Sequence, residues 1–184
     1  ALNYLCAAGV CFMTLVSLNS CLRKSKWFIE NNIKEPNLLD YLDIVSLGTI
    51  CDVVPLVGLN RAIVKQGLKI LNQKKNLGLK TLIDICKIEK KASTYHLGYV
   101  LGPRINAGGR VGKCSHGANL LLNNDPKESF KIASELENFN KDRKKIEGEL
   151  LNSVLNIVDK NLNDPVLILS GKNWHEGIIG IIAS

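Results

Sequence analysis

Three places in this chain hold residues whose types and spacing could do chemistry. The first is Asp52, set in the apolar run Gly48-Thr49-Ile50-Cys51-Asp52-Val53-Val54-Pro55-Leu56. An ionised carboxylate among apolar residues is costly unless it is paired, hydrogen-bonded or bound to a cation. Its oxygens suit Mg²⁺ or Mn²⁺. The alternative is a helix cap, because Asn60 and Arg61 soon open another helical pattern over residues 62–71. Local physics alone favours that cap. The second place is residues 97–113, where glycines crowd around Arg104, Arg110 and Lys113. Glycine allows close backbone approach, and the arginine fork matches phosphate oxygens. Such a loop is either an anion cradle, for phosphate first, or a long turn whose arginines lie in solvent. The third is His175, in the polar loop Gly171-Lys172-Asn173-Trp174-His175-Glu176-Gly177. It either meets a phosphate or a base, or is satisfied by local hydrogen bonds.

Other reactive side chains carry less. Asp40 and Asp43 form either a ligand pair or, more in keeping with their place opposite Leu38, Leu42 and Val45, a solvated helix face. His96 and His116 have no ligand spacing to each other or to a cysteine, so both are expected to be structural. Six cysteines, at 6, 11, 21, 51, 86 and 114, form no C-x-x-C pair and mostly sit among apolar residues. That pattern predicts reduced, buried thiols in a cytosolic protein. No P-loop, H-E-x-x-H or G-x-S-x-G is present.

The elements that must position these residues follow from periodicity. Residues 2–22 are apolar nearly all round, long enough to span a bilayer; Asn3, Thr14, Ser17, Asn19 and Ser20 interrupt them and no basic region precedes them. A buried core helix is therefore expected there. Asn37 is placed to cap a helix over residues 38–47, and short helices are expected over 79–86 and 115–122. Asp125-Pro126-Lys127-Glu128 supplies an N-cap, a first-position proline and a capping-box glutamate in order. Ile132, Leu136, Phe139, Ile146, Leu150 and Ile157 then share one stripe, interrupted by Arg143 and Ser153, until about Lys160. That helix would be about 50 Å long at ~1.5 Å per residue. It suits a coiled coil or a rigid connector between two lobes. The cluster Lys141, Arg143, Lys144 and Lys145 is either a basic patch or, with Glu147 and Glu149, a salt-bridged face. Residues 166–170 form a short apolar run after Pro165, expected to be a buried strand, and with the helix-like residues 178–183 they open an α/β unit.

With 184 residues and 46% hydrophobic content the chain can bury a core; a charge of +7 favours acidic partners, nucleic acid before membrane. Aromatics, at 5%, are too few for a surface built mainly of stacking platforms. A start at Ala1 and an end at Ser184 inside an apolar run suggest an internal fragment.

Four motifs in order, Leu5-Cys6-Ala7-Ala8-Gly9-Val10, Gly48 to Leu56, Leu101-Gly102-Pro103-Arg104-Ile105-Asn106-Ala107-Gly108-Gly109-Arg110, and Trp174-His175-Glu176-Gly177-Ile178-Ile179-Gly180-Ile181, together resemble the RecJ family of single-strand-specific DNA exonucleases, within the DHH phosphoesterase superfamily. The resemblance implies an α/β fold with the mostly helical C-terminal part of a DHH domain in residues 1–124, a long connecting helix in 125–163, and the start of a DHHA1-type α/β domain in 164–184. It makes Asp52 the last metal-binding aspartate and a catalytic residue, which raises the ligand reading above the cap. It places Arg104 and Arg110 toward the DNA backbone, Asn106 as a loop-shaping residue or added donor, and His175 beside the cleft as a second catalytic residue. Cys51 stands where alanine is more usual.

The activity so implied is two-metal hydrolysis of single-stranded DNA with Mn²⁺ or Mg²⁺, 5′ to 3′, in DNA repair and recombination. A cytoplasmic protein is implied, with single-strand-binding protein and a helicase as further partners and no membrane. The family's aspartate-rich and Asp-His-His motifs are absent from this sequence, so the chain alone is expected to be inactive. The alternatives are a DHH phosphodiesterase for short oligonucleotides or cyclic dinucleotides, or a catalytically dead nucleic-acid-binding scaffold.

Overall fold

The computed structural model describes residues 3–158 and 166–183, which divide into two compact units, Ala1–Gly102 and Pro103–Ser184. Every regular element among the described residues is helical.

In the first unit, α1 (Ala7–Lys24) is followed by the short α2 (Trp27–Glu30), a 3₁₀ turn (Leu38–Tyr41), α3 (Leu42–Cys51), α4 (Gly58–Leu71), α5 (Leu77–Ile85) and a π-type turn (His96–Leu101). Phe12, Leu42, Val45, Ile63 and Ile70 form the core, with Met13, Leu38 and Leu59 packed on it. The tightest crossing is α3 on α4. A Cβ on Gly67 would lie 2.2 Å from the Leu42 carbonyl oxygen and 2.5 Å from Ser46 Cβ, so only glycine lets the two backbones meet there. That crossing fixes the axis of α3 and hence the position of Asp52 at its end.

Several expectations change here. The helix α1 is not a buried core helix: Phe12 is covered, whereas Val10, Leu15 and Leu18 are about half exposed. No helix among the described residues is long and apolar enough to cross a membrane. Asn37 does not cap, because its side-chain amide donates to Asp40 Oδ2 at 3.0 Å and the chain enters α3 through a 3₁₀ turn. Asp40 is solvated and pairs with Lys75 at 3.0 Å, but Asp43 is 2% exposed. The 3₁₀ turn rotates the register between them, so the two carboxylates do not share a face. Of the cysteines only Cys6 is buried; Cys11, Cys21 and Cys114 are exposed, and all six are free thiols.

The second unit comprises α6 (Gly102–Val111, which begins on the last residue of the first unit), α7 (His116–Leu122), α8 (Pro126–Val158) and α9 (Glu176–Ile182). Ala107, Leu120, Ile132, Ala133, Leu136, Leu150 and Ile178 are buried. The start of α8 has its N-cap and first-position proline where the sequence places them, but Glu128 does not close the expected capping box. Asp125 Oδ1 accepts from the Glu128 backbone N–H at 2.8 Å; the reciprocal bond comes from Asn123, whose Oδ1 accepts from the Asp125 N–H at 2.7 Å. The 33 residues of α8 are buried chiefly in the first half, while Leu151 and Leu155 near its end are 43% and 48% exposed. The helix pattern over 159–163 lies outside the described residues.

Residues 166–170 are not a strand. Val166 and Ile168 are 71% and 90% exposed, and no second extended segment among the described residues offers the ladder a strand requires. The α/β character expected of this end is therefore not seen in the described residues.

Candidate functional site

Asp52 occupies the C-cap of α3, where its backbone N–H donates to the Gly48 carbonyl at 3.0 Å. It caps the C-terminal end of that helix and does not open α4, whose N-cap is Val57. Its side chain is exposed, and its carboxylate has no hydrogen bond or ion pair among the described residues. The last turn of α3 holds no basic residue. A carboxylate at the negative end of a helix dipole, with nothing to offset it, is a place of low potential that favours a cation. The expected burial is absent: the carboxylate stands in solvent at the C-terminal end of α3.

The turn after Asp52 is held by Asn60, which is fully buried at the start of α4. Its Nδ2 donates to the carbonyls of Pro55 and Tyr4, each at 2.9 Å. Cys51 faces inward, with Sγ 3.7 Å from the Leu97 carbonyl; burial pushes its thiol up and the neighbouring Asp52 charge adds to the effect. Its Sγ is thus turned onto the Leu97 carbonyl. A Cβ on Gly102 would lie 2.3 Å from that sulfur, which shows how closely the chain just after the π turn approaches α3. Among the described residues no group of three His, Cys, Asp or Glu side chains converges on a metal position. Asp52 thus fits the role of one oxygen ligand, with the remaining ligands not supplied by the described residues.

The stretch expected to be a glycine-arginine loop is helical: the π turn His96–Leu101 is followed by α6. Its glycines do not take positive φ; Gly58 is the one described glycine that does. They serve contact between helices. A Cβ on Gly112 would lie 2.6 Å from the Phe139 ring, and one on Gly108 3.4 Å from Leu136 Cδ2. A cradle of backbone N–H groups is excluded at α6, because helical N–H groups are already paired.

The side chains of α6 divide by face. Arg104 points inward, its Nε donating to Glu137 Oε2 of α8 at 2.5 Å, with the two side chains 15% and 19% exposed. Asn106 and Arg110, four residues apart, share the exposed face. Arg110 Nη1 donates to the Gly177 carbonyl at 2.9 Å. His175 is the N-cap of α9, and its Nδ1 accepts from the Gly177 N–H at 3.1 Å. That bond leaves the proton of the neutral ring on Nε2, which makes Nε2 a donor. The second unit therefore brings Arg110 and His175 together through one residue, Gly177, with Asn106 one turn along α6. Asp52 stands apart from these in that it belongs to the first unit.

The other two histidines are held locally. His96 Nδ1 accepts from the Ser93 N–H at 3.0 Å, and His116 Nε2 lies 2.6 Å from Glu135 Oε2. In the basic stretch of α8, Arg143 pairs with Glu147 at 2.7 Å and Lys141 with Glu137 at 3.8 Å, as a salt-bridged face requires. The motif reading does not find Glu137, which lies far in sequence from Arg104, or Asn60, which ties the nearby Pro55 carbonyl to the distant Tyr4 carbonyl. Tyr95 and Tyr99 also escape it, although their four-residue spacing is a signal that two side chains share a helix face.

No protein-family model matches the chain. Among curated proteins it is 38% identical over 187 residues to the single-stranded-DNA-specific exonuclease RecJ of Escherichia coli (strain K12), covering 98% of this chain and 32% of that protein. It is 36% identical over 187 residues to the RecJ of Dickeya dadantii, with the same two coverages. The fold is similar to the crystal structure of RecJ in complex with Mn²⁺ from Thermus thermophilus, at a TM-score of 0.71 and 31% identity over 85% of this chain and 23% of that one. A structure of exonuclease RecJ bound to manganese matches equally, with 39% of that chain covered. The chain thus spans about a third of the length of the curated relatives it matches.

Proposed function

We propose that the chain belongs to the RecJ family over the third of its relatives' length that it spans, and that it serves a metal-dependent exonuclease acting on single-stranded DNA from 5′ to 3′, in DNA repair and recombination. The observation that carries this reading is Asp52: an exposed carboxylate at the C-cap of α3, where its backbone N–H is held by the Gly48 carbonyl, in the stretch that resembles the family's motif. The domain layout we propose is the C-terminal part of a DHH domain over 1–124, a connecting helix over 125–163 and the start of a DHHA1-type domain from 164.

Divalent Mn²⁺ or Mg²⁺, when bound, would supply an activated water and stabilisation of the leaving oxygen. Asp52 would donate one carboxylate oxygen to that site. In the second unit, His175 offers an N–H at Nε2, and Arg110, fixed by the Gly177 carbonyl, offers its remaining guanidinium donors to phosphate oxygens. Asn106 adds an amide on the same face of α6. Arg104 is turned inward onto Glu137, so in place of the expected contact with the DNA backbone it anchors on α8 the helix that presents Asn106 and Arg110. The proposal includes a cytoplasmic location, with single-strand-binding protein and a helicase as partners.

The test uses the protein that carries this chain, on 5′- and 3′-labelled single strands and on a duplex, with Mn²⁺. Stepwise loss of nucleotides from the 5′ end of the single strand alone is the expected result. Degradation from the 3′ end, or equal attack on blunt duplex, would contradict it. Residues 1–184 by themselves should release no nucleotides.

A further inference from the structure

Tyr95, just before the π turn, and Tyr99 within it stack on each other, with ring centroids 5.3 Å apart and planes 27° from parallel. The two residues are 61% and 74% exposed. With Val53, which is 87% exposed, they border an open cavity of about 350 Å³ whose floor is Ile50, Cys51 and Gly98. Cys51 and Val53 are the two neighbours of Asp52, so this cavity adjoins the candidate metal ligand within one unit. Its floor depends on Gly98, where a Cβ would lie 3.2 Å from Ile50 Cγ2. Val53 takes φ 53°, a left-handed conformation that β-branched residues rarely adopt and that tends to persist at ligand sites.

The chemistry of this cavity is selective. Its lining carries no Lys or Arg, and Asp52 beside it repels phosphate unless a cation is bound. A nucleotide is therefore held here by its uncharged part. Two nearly parallel phenol rings in water offer a flat π surface, on which an unpaired base stacks whatever its identity. The volume is at the low end of the roughly 300–1,000 Å³ of ligand pockets, room for one ring system and not for a duplex.

We propose that Tyr95 and Tyr99 form a stacking subsite for one unpaired base of the strand, next to the Asp52 position. A base already stacked in a duplex cannot use it, so the subsite contributes to single-strand preference. This inference rests on the single-stranded-DNA reading of the preceding subsection.

The test measures anisotropy of a labelled oligonucleotide bound to the protein that carries this chain, with divalent ions chelated so that the strand stays intact. Replacing both tyrosines by Ala should weaken binding about tenfold or more, and replacing both by Phe should restore it. A set of oligonucleotides with single abasic positions, read on the unsubstituted protein, should show one position of marked loss. That arm does not depend on how any variant folds. Unchanged affinity in a folded Ala variant, loss in the Phe variant equal to that in Ala, or a flat abasic profile each overturns the stacking subsite alone. Absence of any single-strand binding by the unsubstituted protein overturns the single-stranded-DNA reading as well.

Discussion

Arg110 and Gly177 meet at two points: Arg110 Nη1 donates to the Gly177 carbonyl at 2.9 Å, and a Cβ on Gly177 would lie 2.4 Å from the Arg110 carbonyl oxygen. Both sides of the second contact are backbone, so no flexible side chain can yield. Gly177→Ala should therefore push α9 off α6, costing about 1–3 kcal/mol, as overpacking does. Chemical denaturation of the chain measures the loss, and amide exchange across α9 should quicken. Unaltered stability would mean that the two helices do not meet this closely.

The Arg104–Glu137 pair joins α6 to α8 with little solvent around it. Removing one partner of such a pair strands the other. Glu137→Ala should destabilise the second unit by about 2–3 kcal/mol, against about 0–1 kcal/mol for the exposed Glu128–Lys131 pair. A double-mutant cycle with Arg104→Ala separates the pair from other losses at either site.

Burial holds the Asp43 carboxyl above the usual carboxylate range, and the Asp40 charge adds to this, while backbone N–H groups of Ile44 and of Asp43 itself work against it. The folded chain thus holds this proton more tightly than the unfolded chain. The resulting stability is full below the unfolded pKa of about 4 and is lost as pH rises through the folded value. Asp43→Asn should raise Tm at neutral pH, and the difference from the parent chain should vanish as pH falls toward about 4. Equal Tm differences at both pH values would contradict this.

How much of this was legible in sequence differs from element to element. The start of α8 was, because the Asp125 cap and the first-position Pro126 act locally; that Asn123 and not Glu128 bonds the Asp125 N–H was not. The helix through the glycine-arginine stretch was not. Several glycines each disfavour a helix by about 1 kcal/mol, and the compensation comes from contacts with Phe139 and Leu136, far along the chain. The burial of Asp43 depends on a single 3₁₀ turn that shifts the register, and composition does not reveal it. Asp52 was singled out through an expected burial that is absent; the feature that supports its role, an exposed carboxylate at a helix end, needs the end of α3 to be known.

Arg110→Ala in the protein that carries this chain should weaken single-strand binding and reduce the slope of log K against log salt by about 0.7, the share of one phosphate contact on a single strand. Because the Gly177 carbonyl also loses its Nη1 donor, amide exchange across α9 in the same variant is the control for disturbance of that helix. An unchanged salt slope would remove Arg110 from the phosphate contacts.

The central claim is that Asp52 is a metal ligand of a nuclease, and the most direct measurement is Mn²⁺-dependent release of nucleotides from single-stranded DNA by the Asp52→Ala variant of the protein that carries this chain. Hydrolysis should fall to background while single-strand affinity is largely retained, since the side chain is exposed and holds no other group of the fold. A Mn²⁺-dependent rate equal to that of the parent protein would show that Asp52 holds no metal.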